Sequence, residues 1–145
     1  MKRCYLDANF LVYYKNRKSL QHKLVLAKLD KLIRNKVNVF ISTLVIDEFI
    51  FTLISNIKRK GVIGKNLNDI KKNLIEVLNL NFLNIAPTPI DKDSQLKVID
   101  LMSEYNLKPR DAYHLLTIIS NSIDTFATFD NDFKKVFSSK LLTKI

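Results

Sequence analysis

Cys4-Tyr5-Leu6-Asp7-Ala8-Asn9 reads as a short apolar strand that ends on a carboxylate. Cysteine, tyrosine and leucine form the apolar run and Asp-Ala-Asn stops it, so residues 2–7 are expected to deliver Asp7 to the edge of a sheet. One acid at the end of one strand carries no function. It matters only if other acids arrive at the same edge, and that depends on how the rest of the chain alternates.

Working outward, Phe10 to Tyr14 open a short helix over 9–16. Ser19 is placed to cap a second helix, 20–35, with apolar positions Leu24, Leu26, Ala27, Leu29, Leu32 and Ile33 at mostly three- and four-residue spacing. Val37-Asn38-Val39-Phe40-Ile41 alternates and is β-branched, the mark of a second strand. Ser42 or Thr43 caps a strongly apolar helix to about Lys60, ended by Gly61. Asn66 or Asn68 opens a helix over 69–79, and residues 82–86 form a third strand closed by Pro87 and Pro89. Asp91 or Asp93 caps a helix over 92–105, and Pro109 starts another over 109–121. A fourth strand spans 124–128, a short helix 131–137 and a small fifth strand 141–145. Strands alternating with helices imply an α/β domain, a mostly parallel sheet flanked by helices on both faces. In that topology strand C-termini and the following helix N-termini share one rim, where such sheets bind ligands.

Composition narrows the chemistry. The 145 residues suit one domain, 1–145, and only 2 glycines and 3 prolines argue against a many-turned all-β fold. A single cysteine and 2 histidines cannot build a thiolate or imidazole zinc cage, so any metal would be held by oxygen. The net charge of +10 points to a polyanionic or acidic partner. Lys58, Arg59, Lys60, Lys65, Lys71 and Lys72 cluster with only Asp69 against them; such a run is usually just the solvated surface of a lysine-rich protein, and a nucleic-acid reading needs a second, independent feature. Asp7 and Asn9 interrupt the apolar run that follows Lys2-Arg3, and no apolar run is long enough to span a bilayer. The expectation is a soluble cytoplasmic protein with no membrane partner.

Four acids map to the expected rim: Asp7, Glu48, Asp111 and Asp130. Each has a plainer reading. Asp111 suits the positive end of its helix dipole, Asp130 suits an N-cap, and Glu48 is one of two adjacent acids with Asp47. Together they predict converging carboxylates, which repel one another unless protonated or bridged by a cation. A hard divalent ion, Mg²⁺ or Mn²⁺, suits such oxygens and suits phosphodiester hydrolysis. No Gly-rich phosphate loop is present, which argues against a nucleotide-triphosphatase or dinucleotide enzyme.

Tyr5-Leu6-Asp7-Ala8-Asn9-Phe10-Leu11, Ser42-Thr43-Leu44-Val45-Ile46-Asp47-Glu48-Phe49, Arg110-Asp111-Ala112-Tyr113-His114-Leu115-Leu116 and Ala127-Thr128-Phe129-Asp130-Asn131-Asp132-Phe133 resemble the four motifs of PIN-domain nucleases, and a compact chain of this kind is similar to VapC-type toxins. The resemblance implies a sheet in the order 3-2-1-4-5, a Mg²⁺- or Mn²⁺-dependent endoribonuclease, an RNA substrate, an antitoxin partner and a homodimer. By position it makes Asp7, Glu48, Asp111 and Asp130 the catalytic acids and adds Asp132 as a metal-holding candidate beside Asp7, Asp111 and Asp130. Asn9 and Thr128 become polar neighbours of the metal's water. Arg110 reads as a phosphate contact or a surface arginine, with Lys58, Arg59 and Lys60 as further substrate contacts. His114, on one helix face with Asp111, reads as a structural residue packed beside the strand. Helices around 62–106 are expected to form an insertion, as a clamp over the groove or a docking surface. Two other readings stay open: a non-catalytic RNA- or protein-binding module, and a stand-alone RNA-processing nuclease. A phosphatase with Asp7 as nucleophile would want a second acid two residues on, where this chain has Asn9.

Overall fold

Cys4, Tyr5 and Leu6 are consecutive and all buried, so β1 (Arg3–Leu6) is covered on both faces. That is the condition of a central strand in a parallel sheet. The structure, a computed structural model, describes residues 2–58 and 67–145. In chain order β1 is followed by α1 (Ala8–Lys15), α2 (His22–Arg34), β2 (Asn38–Ile41), α3 (Thr43–Lys58), α4 (Leu67–Leu78) and β3 (Leu83–Ile85). Then come α5 (Lys92–Tyr105), α6 (Pro109–Ser120), β4 (Thr125–Ala127), α7 (Lys134–Ser138) and β5 (Thr143–Lys144). The five strands form one sheet in the order β3-β2-β1-β4-β5, every pair parallel. Strand order reverses at β1: Tyr5 pairs with Phe40 on one side and Phe126 on the other.

The core lies where helices cover this central strand. Phe10 and Leu11 of α1, Val45 and Phe49 of α3, and Ala112, Leu115, Leu116 and Ile118 of α6 are buried against it, with Phe126 and Phe133. Burying such side chains stabilises by about 1.5–3 kcal/mol each. On α2 the buried stripe is Val25, Leu29 and Leu32, at i, i+4 and i+7. Leu24, Leu26 and Ile33, expected on that stripe, are exposed. Two apolar registers overlap in this helix, and packing selects the one through Val25.

Helix ends differ from expectation in detail. Ser19 does not cap α2; the N-cap is Gln21, and the Ser19 hydroxyl turns the chain by accepting from the Gln21 N–H. Asp91 caps α5, accepting from the Ser94 N–H. α7 begins at Lys134 rather than 131, so Asp130 is not its N-cap. The ends assigned to Gly61 and Asn66 lie outside the described residues. Elsewhere helices close without glycine. Lys36, Ser122 and Lys140 hold left-handed backbone at φ 53°, 52° and 60°, just before β2, β4 and β5. At Lys36 and Ser122 the paired bonds of a Schellman turn form: Val37 N–H to Leu32 O with Lys36 N–H to Ile33 O, and Ile123 N–H to Ile118 O with Ser122 N–H to Ile119 O.

Candidate active site

Asp7 leaves β1 at its C-terminal end and becomes the N-cap of α1. One oxygen, Oδ1, accepts from the Ala8 N–H at 2.7 Å, and the other, Oδ2, from the Thr128 hydroxyl at 2.7 Å. Thr128 Oγ1 also accepts from the Asp130 N–H, and Asp130 Oδ1 accepts from the Asp132 N–H. The exit of β4 is thereby tied to the exit of β1. Asp7 is 8% exposed. Its burial pushes the carboxyl above the usual range, against the opposing effect of the Thr128 bond, and the neighbouring charge of Glu48 adds to the rise.

α3 and α6 bring the other acids. Glu48 faces inward and Asp47 is exposed, which settles the choice between the two adjacent acids geometrically. Val45 and Phe49 set the phase by burying one side of α3. Glu48 Oε2 meets His114 Nε2 at 2.9 Å, and Oε1 lies 3.6 Å from Arg110 Nε. Asp111 sits in the first turn of α6 behind Pro109. Burial raises its carboxyl above the usual range, and the charges of Asp130 and Asp132 raise it further.

A pocket of about 200 Å³ collects these groups: Asp7, Asn9, Glu48, Arg110, Asp111, His114 and Asp130 line it, with Phe51 and Thr52 on one wall. Thr128 lies beneath, bonded to Asp7. Asp132 is outside the lining, exposed and paired with Lys108 at 3.2 Å. Arg59, Lys60, Lys65 and the side chain of Lys58 lie outside the described residues, and Lys71 and Lys72 are exposed on α4.

The donor chemistry fits a hard divalent cation. A carboxylate oxygen of Asp7, one of Glu48 and a ring nitrogen of His114 lie within 4.8 Å of one another, and Asp111 and Asp130 line the same pocket outside that group. Two of the lining carboxylates are raised partly by another acid's charge, a conflict that a cation among them removes.

Sequence spacing alone makes Tyr5 a strand residue and Ser42 a helix-cap candidate. Both belong to the polar network behind the pocket: Tyr5 Oη lies 2.5 Å from Ser42 Oγ and 2.9 Å from His114 Nδ1. The one available signal is that Tyr5 stands two residues before Asp7, on the same side of an extended chain.

A family profile described as PIN domain matches residues 4–137. No curated protein matches the sequence. Among solved structures the chain is similar to VapBC2 from Rickettsia felis bound to a promoter DNA fragment, with 18% identity, a TM-score of 0.69 and coverage of 99% of this chain and 97% of that chain. It is similar to FitAcB from Neisseria gonorrhoeae, with 19% identity, a TM-score of 0.65 and coverage of 98% and 96%. It is also similar to VapC20 of Mycobacterium tuberculosis, a sarcin–ricin loop cleaving toxin, with 16% identity, a TM-score of 0.64 and coverage of 92% and 94%.

Proposed function

The chain belongs to the PIN domain family, and on that premise we propose that it is a metal-dependent endoribonuclease that hydrolyses RNA phosphodiester bonds as the toxin of a type II toxin–antitoxin pair. Four carboxylates from four separate elements, meeting at one pocket of a chain with net charge +10, carry this reading. The toxin assignment is supported by the similar structures, whose descriptions name a toxin that cleaves the sarcin–ricin loop and complexes bound to DNA.

In this proposal Asp7, Asp111 and Asp130 hold Mg²⁺ or Mn²⁺ and Glu48 completes the acidic set. A bound divalent cation supplies positive charge to the reacting phosphate and acidifies a water for attack. The chain's own residues prepare the site. Thr128 and the Ala8 N–H fix both oxygens of Asp7. Asn9 offers an amide at the pocket mouth, and Arg110, exposed beside Glu48, can turn its guanidinium to a phosphate oxygen. The basic surface would hold flanking phosphates.

The same proposal includes a cognate antitoxin, a homodimer and a cytoplasmic location. Of the segment 62–106, residues 62–66 lie outside the described residues, and its helices α4 and α5 would serve as the clamp over the groove. Leu96 and Ile99, exposed by 68% and 62% one turn apart on α5, are apolar surface that a second copy would cover. No helix among the described residues is long and apolar enough to cross a membrane.

The test is cleavage of single-stranded and structured RNA by purified protein with and without Mg²⁺, beside Asp7→Asn, Asp111→Asn and the double variant, each checked for fold by circular dichroism. Undiminished cleavage by the cleanly purified double variant sinks the assignment. A short neighbouring reading frame that encodes a DNA-binding protein supports the toxin role; its absence favours a stand-alone nuclease.

A further inference from the structure

Distances alone make Asp7, Glu48 and His114 look like a three-ligand metal set. Hydrogen-bond bookkeeping separates the histidine from the two acids. His114 is 2% exposed, and both ring nitrogens are engaged: Nδ1 with Tyr5 Oη at 2.9 Å and Nε2 with Glu48 Oε2 at 2.9 Å. Tyr5 Oη is itself 2.5 Å from Ser42 Oγ. Four polar side chains thus form one hydrogen-bonded chain, Ser42–Tyr5–His114–Glu48, that ends at the pocket.

Protons can be placed along these hydrogen bonds in few ways. An ionised Glu48 offers only acceptors. A neutral imidazole with its proton on Nδ1 would set the Nε2 lone pair against a carboxylate oxygen at hydrogen-bond distance, which is repulsive. With the proton on Nε2, every contact is matched: Ser42 donates to Tyr5, Tyr5 donates to His114 Nδ1, and His114 Nε2–H donates to Glu48. A charged imidazolium would also donate from Nε2, with Tyr5 donating to Ser42 instead. Either way Nε2 carries a proton aimed at Glu48 and has no lone pair for a metal.

We propose that His114 is a positioning residue and not a metal ligand: Tyr5, seated by Ser42, holds the imidazole so that its Nε2–H orients the Glu48 carboxylate toward the pocket. The proposal rests on the reading above, in which Glu48 completes the acidic set around the cation. Residues of this kind, which fix a ligand without touching the metal, typically change metal affinity by about 10–100-fold when removed.

The experiment has two arms. In the first, nitrogen-15 NMR of the imidazole is recorded on the metal-free protein and again with saturating Mg²⁺. A protonated Nε2 in both samples is expected. A bare Nε2 in the metal-free protein, or loss of the Nε2–H on adding Mg²⁺, overturns the proposal. In the second arm, Mg²⁺ affinity is measured by calorimetry. His114→Leu is expected to weaken it about tenfold or more, and His114→Gln, whose amide NH₂ reaches the Nε2 position, restores most of the loss. Tyr5→Phe gives a smaller, severalfold loss and stands in if His114→Leu does not fold. Wild-type affinity in both His114→Leu and Tyr5→Phe overturns the proposal. If the wild-type chain binds no Mg²⁺, the metal reading fails by itself, and the Nε2–H seen in the metal-free protein still decides this one.

Discussion

The two rims of the sheet carry opposite charge. At the strand C-termini lie Asp7, Glu48, Asp111 and Asp130. At the strand N-termini a second cavity, about 670 Å³, is lined by Lys2, Lys28, Lys31 and Lys144 over Leu32, Val37 and Ile145, with no carboxylate side chain among its described lining residues. Helix direction explains part of this. Helices begin at the first rim, where their dipoles favour acids such as the Asp7 cap of α1 and Asp111 in the first turn of α6. α2 ends at the other, where its last turn carries Lys31 and Arg34. The dipole does not explain why Asp7 is buried and Glu48, Asp111 and Asp130 are half-buried and crowded beside it while Lys2, Lys31 and Lys144 are exposed. An exposed cation at a helix end is ordinary. Crowded, half-desolvated acids are held at a cost to the fold, which supports the proposal that places the chemistry at the first rim.

The sharpest way to break this contrast is to neutralise one acid. Asp7→Asn should reduce Mg²⁺-dependent RNA cleavage by about a thousandfold, close to 4 kcal/mol of barrier, with an unchanged circular dichroism spectrum. A loss of only a few fold would put the first rim on the same footing as the second.

Next in size is the effect of the cation on stability. The folded chain holds the Asp7 and Asp111 protons more tightly than the unfolded chain. Their contribution is therefore fully present on the acid side and is lost as pH rises from 3.8 through their raised folded values. Glu76 and Asp91, lowered by Lys15 and by Ser94, act in the opposite sense, so the difference between wild type and Asp7→Asn isolates the buried acid. In metal-free urea melts the variant should gain on wild type as pH rises from 4 to 7. Mg²⁺ at about 100 times its Kd should then stabilise wild type by about 2.7 kcal/mol.

The lysine rim should respond more weakly. Lys2→Gln with Lys31→Gln is expected to lower RNA affinity at low salt by about threefold through the long-range field, with kcat unchanged. A matching fall in kcat would show the two rims to be coupled. Smallest is the effect of the helix ends. Lys36→Gly and Ser122→Gly each remove left-handed strain worth roughly 1–2 kcal/mol, offset by greater freedom of the unfolded chain. A net gain of about 0.5 kcal/mol per site in denaturant melts is expected, with no change in cleavage.

The architecture was largely legible from residue pattern. Alternating strands and helices gave the parallel sheet, and the four motifs implied the strand order that the sheet has. What escaped had two physical causes. Where a helix is apolar all round, as in Leu44 to Ile54, the pattern has no phase, and only the packing of Val45 and Phe49 turns Glu48 rather than Asp47 inward. Leu24 and Ile33 were misassigned on α2 for a similar reason. The other cause is distance along the chain. Tyr5 meets Ser42 and His114 across 37 and 109 residues, and no local spacing announces such a contact. Pairing of Asp132 with Lys108 likewise depends on how two loops meet.

The burial of Asp7 has an evolutionary side. An asparagine there could still accept from the Ala8 N–H and could donate to Thr128, without a charge to desolvate. Drift toward an inactive but sturdier chain is therefore open at a single codon. If the chain is a toxin, selecting cells that survive its expression should recover this substitution among the escapees.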